Sequence, residues 1–385
     1  MDGKRTPIDA NYTPISEIDA KWWEKHVLYS KFNRLGIDVV CASFENPDAK
    51  ANIIFVTGWS ESFLKYSEVI HKLYDSGFSI YTYDHQSQGL SGRWLAEQQS
   101  TWIHNFDDYV DDFIFFVTTI SRETSNLPMY LLAHSMGGLV SSIAMSRLPT
   151  LINRAVLSAP MFRHKCALKC FNYAYPLPQQ IAYWITVLSC RAGLGMMHVL
   201  GFFKEKSVDQ LPLNVTTSDT EQLEKWRQLR QKYPQIMSTC VTNDWALQSI
   251  RAEKKFETRF EFVQTNTLIL SAENDLFVYN RAMAFFSVRA PKCKIFIAPN
   301  SLHEVLYETE PIRNAALEIV KDFFKQGSDN VEEVNPRGPF YEYDKATPIY
   351  SLPEKFIRAA GIVISTVGII AGVTMIFSSG RRGLK

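Results

Sequence analysis

The chain lacks a charge bias. Its 41 Lys and Arg residues face 40 Asp and Glu, and a formal net charge of +1 gives no reason to expect a nucleic-acid partner. Cysteine is sparse: the six residues Cys41, Cys166, Cys170, Cys190, Cys240 and Cys293 are scattered, with no C-x-x-C pair. Cys166 and Cys170 have only His164 nearby, too few ligands for zinc spacing. No metal is expected, and the thiols read as reduced, in a cytosolic compartment. The opening stretch MDGKRTPIDANYTPISEIDAKWW has no apolar core of the kind a signal peptide needs. The glycosylation sequons at Asn11 and Asn214 then carry no meaning. Apolar residues are not lacking: at 46% of 385 residues they can fill a sizeable core, in one large α/β domain with additions or in two domains.

Short β-rich runs recur: IDVVCASF, NIIFVTG, FSIYTYD, MYLLAH, RAVLSAP, TLILSAE and KIFIAP. Most are continuously apolar rather than alternating, as strands covered on both faces are. Helical patterns over 62–76, 105–121 and 136–148 lie between them. Strands alternating with helices predict an α/β fold with a mostly parallel, doubly wound sheet.

The alternation stops over 161–265, where no strand is evident. An apolar stretch at 178–203 and a charged helical piece at 218–233, capped by Ser218 or Asp219, occupy this region. It reads as a helical cap over the C-terminal edge of the sheet, lining an apolar pocket; ordinary core packing is the other reading of the apolar stretch. The division expected is a domain over 1–325 containing that cap, a Gly-, Pro- and acid-rich linker over 326–355, and a hydrophobic helix over 356–380. Residues 359–380 carry no charge. Their 19-residue apolar core would span about 28 Å as a helix, against roughly 30 Å of bilayer hydrocarbon. A C-terminal transmembrane anchor is therefore expected. Basic residues flank both ends, so its orientation stays open.

One hydroxyl stands out. In LLAHSMGGLV, Ser135 lies at the corner between an apolar strand and a helix, with Ala133 two residues before and Gly137 two after. A serine there either caps the helix or sits on a nucleophile elbow, a turn so tight that its neighbours must be small. An elbow serine needs a base, and the base an orienting acid, in the order Ser, Asp or Glu, His. Of eight histidines, His303 follows the last candidate acid, in a loop after KIFIAP. Asp275 stands just past TLILSAE, with Glu273 as second choice. Ser135, Asp275 and His303 all fall at strand C-terminal ends, where such sheets build active sites. His134 and His85 read as structural. For an oxyanion, Met136 offers the first amide of the elbow helix, and the loop TGWSES offers Trp59 or Ser60, with Trp59 preferred.

With TGWSES, YDHQSQGLSGR, AHSMGG, SAPMF, AENDLFV and LHEVLYE, the chain resembles the lysophospholipase and monoacylglycerol lipase branch of the α/β-hydrolases. It is most similar there to the bacterial inner-membrane lysophospholipase group, over about 37–324. The resemblance implies a sheet of about eight strands, a helical cap, and ester hydrolysis of single-chain lipids without cofactor. It assigns Ser135 as nucleophile, His303 as base, Asp275 as acid, and Trp59 and Met136 as oxyanion donors. One departure is Thr57-Gly58 where monoacylglycerol lipases usually carry His-Gly. The expectation is a serine esterase forming an acyl-enzyme, held at a membrane by its C-terminal segment with the catalytic domain in the cytoplasm. An acyltransferase, a peptidase and a catalytically idle scaffold are its rivals.

Overall fold

The structure is a computed structural model that describes residues 5–124, 127–170, 173–199, 215–325 and 330–346. In chain order the first elements are β1 (Thr6–Pro7), α1 (Glu17–His26), β2 (Val27–Arg34), β3 (Ile37–Phe44), β4 (Asn52–Val56), α2 (Ser67–Asp75), β5 (Ser79–Tyr83) and β6 (Ser100–Thr101). Then come α3 (Phe106–Glu123), β7 (Met129–His134), α4 (Ser135–Arg147) and β8 (Arg154–Ser158). The insertion holds β9 (Cys166–Cys170), β10 (Tyr173–Leu177), α5 (Gln179–Arg191), α6 (Thr220–Lys232), β11 (Cys240–Val241) and α7 (Asn243–Glu257). The chain returns to the sheet with β12 (Asn266–Ala272), α8 (Asn280–Arg289), β13 (Cys293–Ala298), α9 (Glu310–Lys325) and β14 (Tyr341–Glu342).

One sheet of ten strands runs β1-β2-β3-β5-β4-β7-β8-β12-β13-β14. The six strands from β5 to β13 are mutually parallel. β2 and β3 form an antiparallel hairpin at one side, and two-residue strands close both edges. The central strands are short apolar runs; every residue of β4, β5 and β8 is buried. Their period of two divides the core between two faces. On β4, Ile54 and Val56 face the cluster built with α3 and α4, while Ile53 and Phe55 face the one built with α1, α2 and α9. Helix starts follow their caps. Asn105 forms a capping box with Asp108 at α3, and Asp219, rather than Ser218, receives the first amides of α6.

The structure corrects the expectations in two places. The insertion is not strand-free: β9 and β10 pair as an antiparallel hairpin, and β11 pairs with β6. The segments CALKC and YAYPL are each only five residues long and carry β-prone residues, which helical periodicity overlooks. Residues 330–346, within the stretch read as a linker over 326–355, are also part of the domain. β14 adds to the sheet edge through Phe296 and Ile297, and Val331, Val334 and Phe340 are buried beneath it. Three apolar residues at unequal spacing in a polar segment leave no periodic signal. The hydrophobic helix expected over 356–380 lies outside the described residues. Among those described, no helix is long and apolar enough to cross a membrane.

Candidate active site

Ser135 joins β7 to α4 in the left-handed region, at φ 49°. A non-glycine residue is held there only when its surroundings fix it. Ala133, the last but one residue of β7, lies within the core, so its methyl group is accommodated. Behind the turn, α4 presses on the end of β4. A Cβ on Gly137 would lie 2.5 Å from the Thr57 carbonyl oxygen. Only glycine permits that approach. The Ser135 carbonyl accepts the Met161 N–H at 2.9 Å, which pins the turn from the next strand's loop.

Ser135, His303 and Asp275 meet in one hydrogen-bonded line. Ser135 Oγ lies 2.9 Å from His303 Nε2, and His303 Nδ1 lies 2.7 Å from Asp275 Oδ2. The other oxygen of Asp275 accepts the Phe277 and Val278 amides at 2.7 and 2.9 Å. Burial pushes the Asp275 carboxyl up, but the His303 ring and these donors hold it below its ordinary value. For His303 burial lowers the pKa, yet the Asp275 carboxylate outweighs it and the net shift is upward. An ionised Asp275 thereby fixes the proton on Nδ1 and leaves Nε2 free to accept the serine proton. Glu273, the alternative acid, is engaged elsewhere: its oxygens accept the Asn300 amide and the Tyr341 hydroxyl.

The loop after β4 is held in the same detail. The Gly58 N–H donates to Glu61 Oε2 at 2.6 Å, and the Ser60 N–H donates to Gln88 Oε1 at 3.2 Å. Gln88 also donates to the Gly58 carbonyl at 2.9 Å. Both neighbours of the Trp59 amide, those of Gly58 and Ser60, are thus committed to the scaffold. The Met136 N–H belongs to the first turn of α4, where amides have no intrahelical partner. Ala or Ser in place of Gly58 would crowd Ser135, whose Cβ would lie 3.0 Å from the new Cβ.

The sequence reading missed Gln88 and Glu61. Glu61 also accepts Lys65 Nζ and the Tyr66 hydroxyl, both at 2.7 Å, and Lys65 reaches Glu304 at 2.6 Å. Burial raises the Glu61 pKa, but the Lys65 ammonium overrides it and holds the acid down at about 2. A Glu–Lys pair spaced by four inside the apolar run Phe63, Leu64, Tyr66 was the available signal. His85 donates to the Thr57 carbonyl at 3.2 Å, and His134 Nδ1 to the Ser158 carbonyl at 3.1 Å. Burial lowers both histidines to about 4, so both are neutral supports at pH 7.

The cap touches this centre at several points. Before β9, the Lys165 N–H donates to the Phe277 carbonyl and the Tyr279 N–H to the Arg163 carbonyl, while Lys165 Nζ donates to the Asp275 carbonyl at 2.8 Å. From α6, Arg230 donates to the Ser60 carbonyl and hydroxyl at 3.2 and 3.3 Å. One face of α5 is exposed and apolar: Ile181, Trp184, Ile185 and Leu188. No group of metal-ligating side chains occurs among the described residues. The cavity lined by Arg5, Tyr12, Tyr29 and Glu123 includes none of the site residues.

Residues 47–310 match the model of the Hydrolase_4 family, described as serine aminopeptidase, S33. The chain belongs to that family. This serine hydrolase of the α/β-hydrolase type is 28% identical over 286 residues to the lysophospholipase L2 of Escherichia coli K12, a match covering 71% of this chain and 80% of the relative. It is 28% identical over 130 residues to the monoglyceride lipase of Mus musculus, covering 34% of this chain and 41% of the lipase. Among solved structures, a carboxyl esterase from Bacillus coagulans superposes with a TM-score of 0.62 at 13% identity, over 78% of this chain and 98% of that one. At such identity the likeness concerns the fold.

Proposed function

We propose that this hydrolase is a membrane-tethered esterase that cleaves the acyl ester of a lysophospholipid or a monoacylglycerol. The observation that carries the reading is the unbroken line from Ser135 through His303 to Asp275. His303 Nε2 takes the Ser135 proton as Oγ attacks the ester carbonyl. The charge on the carbonyl oxygen is received by the Trp59 and Met136 amides. The alcohol half leaves with the proton from His303, and an acyl-enzyme remains. Water, deprotonated by His303, then attacks it and releases a fatty acid.

The lipid class rests on the names of the relatives and on the apolar face that α5 presents at Ile181, Trp184, Ile185 and Leu188. The tether rests on the uncharged stretch 359–380. An enzyme held at a bilayer meets a bilayer-dissolved substrate at high effective concentration. The catalytic domain then lies on the cytoplasmic side, in keeping with free thiols at Cys41, Cys166, Cys190, Cys240 and Cys293.

The test is fluorophosphonate labelling together with turnover of lysophosphatidylcholine, lysophosphatidylethanolamine, monoacylglycerol, p-nitrophenyl esters and an aminoacyl amide. Labelling of the wild type and its loss in Ser135→Ala, with turnover of the single-chain lipids, are expected. Labelling that survives Ser135→Ala rules out this nucleophile. Turnover confined to the aminoacyl amide replaces the esterase by a peptidase.

A further inference from the structure

A second chain of hydrogen-bonded side chains lies in the cap, apart from Ser135. Cys166, the first residue of β9, places Sγ 3.4 Å from His164 Nε2. The opposite ring nitrogen of His164 lies 2.6 Å from Glu253 Oε1, on α7. That carboxylate is buried and well held: it also accepts the His164 N–H at 3.0 Å and the Gln179 amide at 2.6 Å. A thiol, an imidazole and an orienting carboxylate thus stand in the order that activates a nucleophilic sulfur. The geometry points to Cys166 as an activated thiol, a modification site for small soft electrophiles such as peroxides and alkyl halides.

Electrostatics agree with the geometry. Burial lowers the His164 pKa, but the Glu253 carboxylate outweighs it and lifts the ring well above its ordinary value. The charged ring stands 3.4 Å from Cys166 Sγ, within reach of the sulfur as it attacks. Among the cysteines whose burial is described, access narrows the choice to two. Cys41, Cys240 and Cys293 are buried, whereas Cys166 is half-buried. Cys190 is half-buried as well, but burial and its hydrogen bond to Asp244 push its thiol up to about 12. With hydrogen peroxide the thiolate sulfur attacks one oxygen and the O–O bond breaks. Sulfur is oxidised to a sulfenic acid, and the leaving hydroxide takes the His164 proton to become water.

The experiment follows iodoacetamide alkylation of the folded full-length protein, in which an S–C bond forms and iodide leaves. Trypsin cuts after Lys165 and Lys169, so Cys166 is read in its own short peptide. At pH 7, Cys166 is expected to react at least about tenfold faster than Cys190. His164→Asn and Glu253→Gln should each slow Cys166 alkylation at pH 7 by about tenfold. Fluorophosphonate labelling of each variant before alkylation reports its native fold and is independent of Cys166. A wild-type Cys166 that reacts no faster than Cys190 at pH 7 overturns the assignment, whether or not the variants fold.

Discussion

The carboxylate of Glu61 accepts the Gly58 amide at 2.6 Å while its other oxygen holds Lys65 at 2.7 Å. Lys65 in turn binds Glu304, the neighbour of His303. The amide loop and the loop carrying the base therefore share one buried cation. Glu61→Gln leaves that cation half compensated. Removing one partner of a buried pair is destabilising by roughly 3 kcal/mol. Denaturant unfolding should read that loss, and kcat on a soluble ester should fall by about tenfold or more as the loop relaxes. An unchanged kcat would mean that the loop keeps its shape without the carboxylate.

Gln88 offers a cleaner separation of binding from chemistry, because it carries no charge. Gln88→Leu removes the bonds to the Gly58 carbonyl and the Ser60 amide together. The expected outcome is a kcat lowered by about tenfold to a hundredfold with KM within about twofold of wild type. A rise in KM alone would place Gln88 in substrate binding instead.

The pH profile follows from His303. The base must be neutral to accept the serine proton, and Asp275 lifts its pKa above the ordinary value of about 6.5. Activity is therefore full at high pH and is lost as pH falls through a midpoint above about 6.5. Asp275→Asn removes the charge that raises it, so the midpoint should move to lower pH while kcat drops by about a thousandfold or more. A midpoint that stays in place would detach the acid limb from this pair.

Much of this centre is legible in the sequence because an elbow constrains its neighbours. Ser135 requires small residues at fixed offsets, and the chain supplies Ala133 and Gly137. Asp275 and His303 are legible because each follows an apolar strand. Gln88 is not, since its partners are backbone groups 28 and 30 residues away, and backbone groups leave no mark in a sequence. The choice of Asp275 over Glu273 was open for a related reason. It depends on which carboxylate meets His303 after the strand ends, not on residue type. In the sheet, the continuous runs of β4, β7 and β12 are plain, whereas β2, with exposed and buried positions mixed, and the two-residue β14 are set by the partners they pair with.

The exposed face of α5 gives a test of access. Trp184→Glu combined with Leu188→Glu places two charges at positions that are 58% and 63% exposed. Turnover of monoacylglycerol in vesicles should fall about tenfold, while turnover of a soluble p-nitrophenyl ester should stay within about twofold. Removal of residues 350–385 should likewise abolish co-sedimentation with membranes and spare the soluble ester. Equal losses on both substrates would assign α5 to folding rather than to access.

The cap grips the Asp275 loop through Lys165 and the Trp59 loop through Arg230. These fastenings are themselves parts of the lock: loosening either of them, at Lys165 or at Arg230, loosens a loop that holds acid or amide.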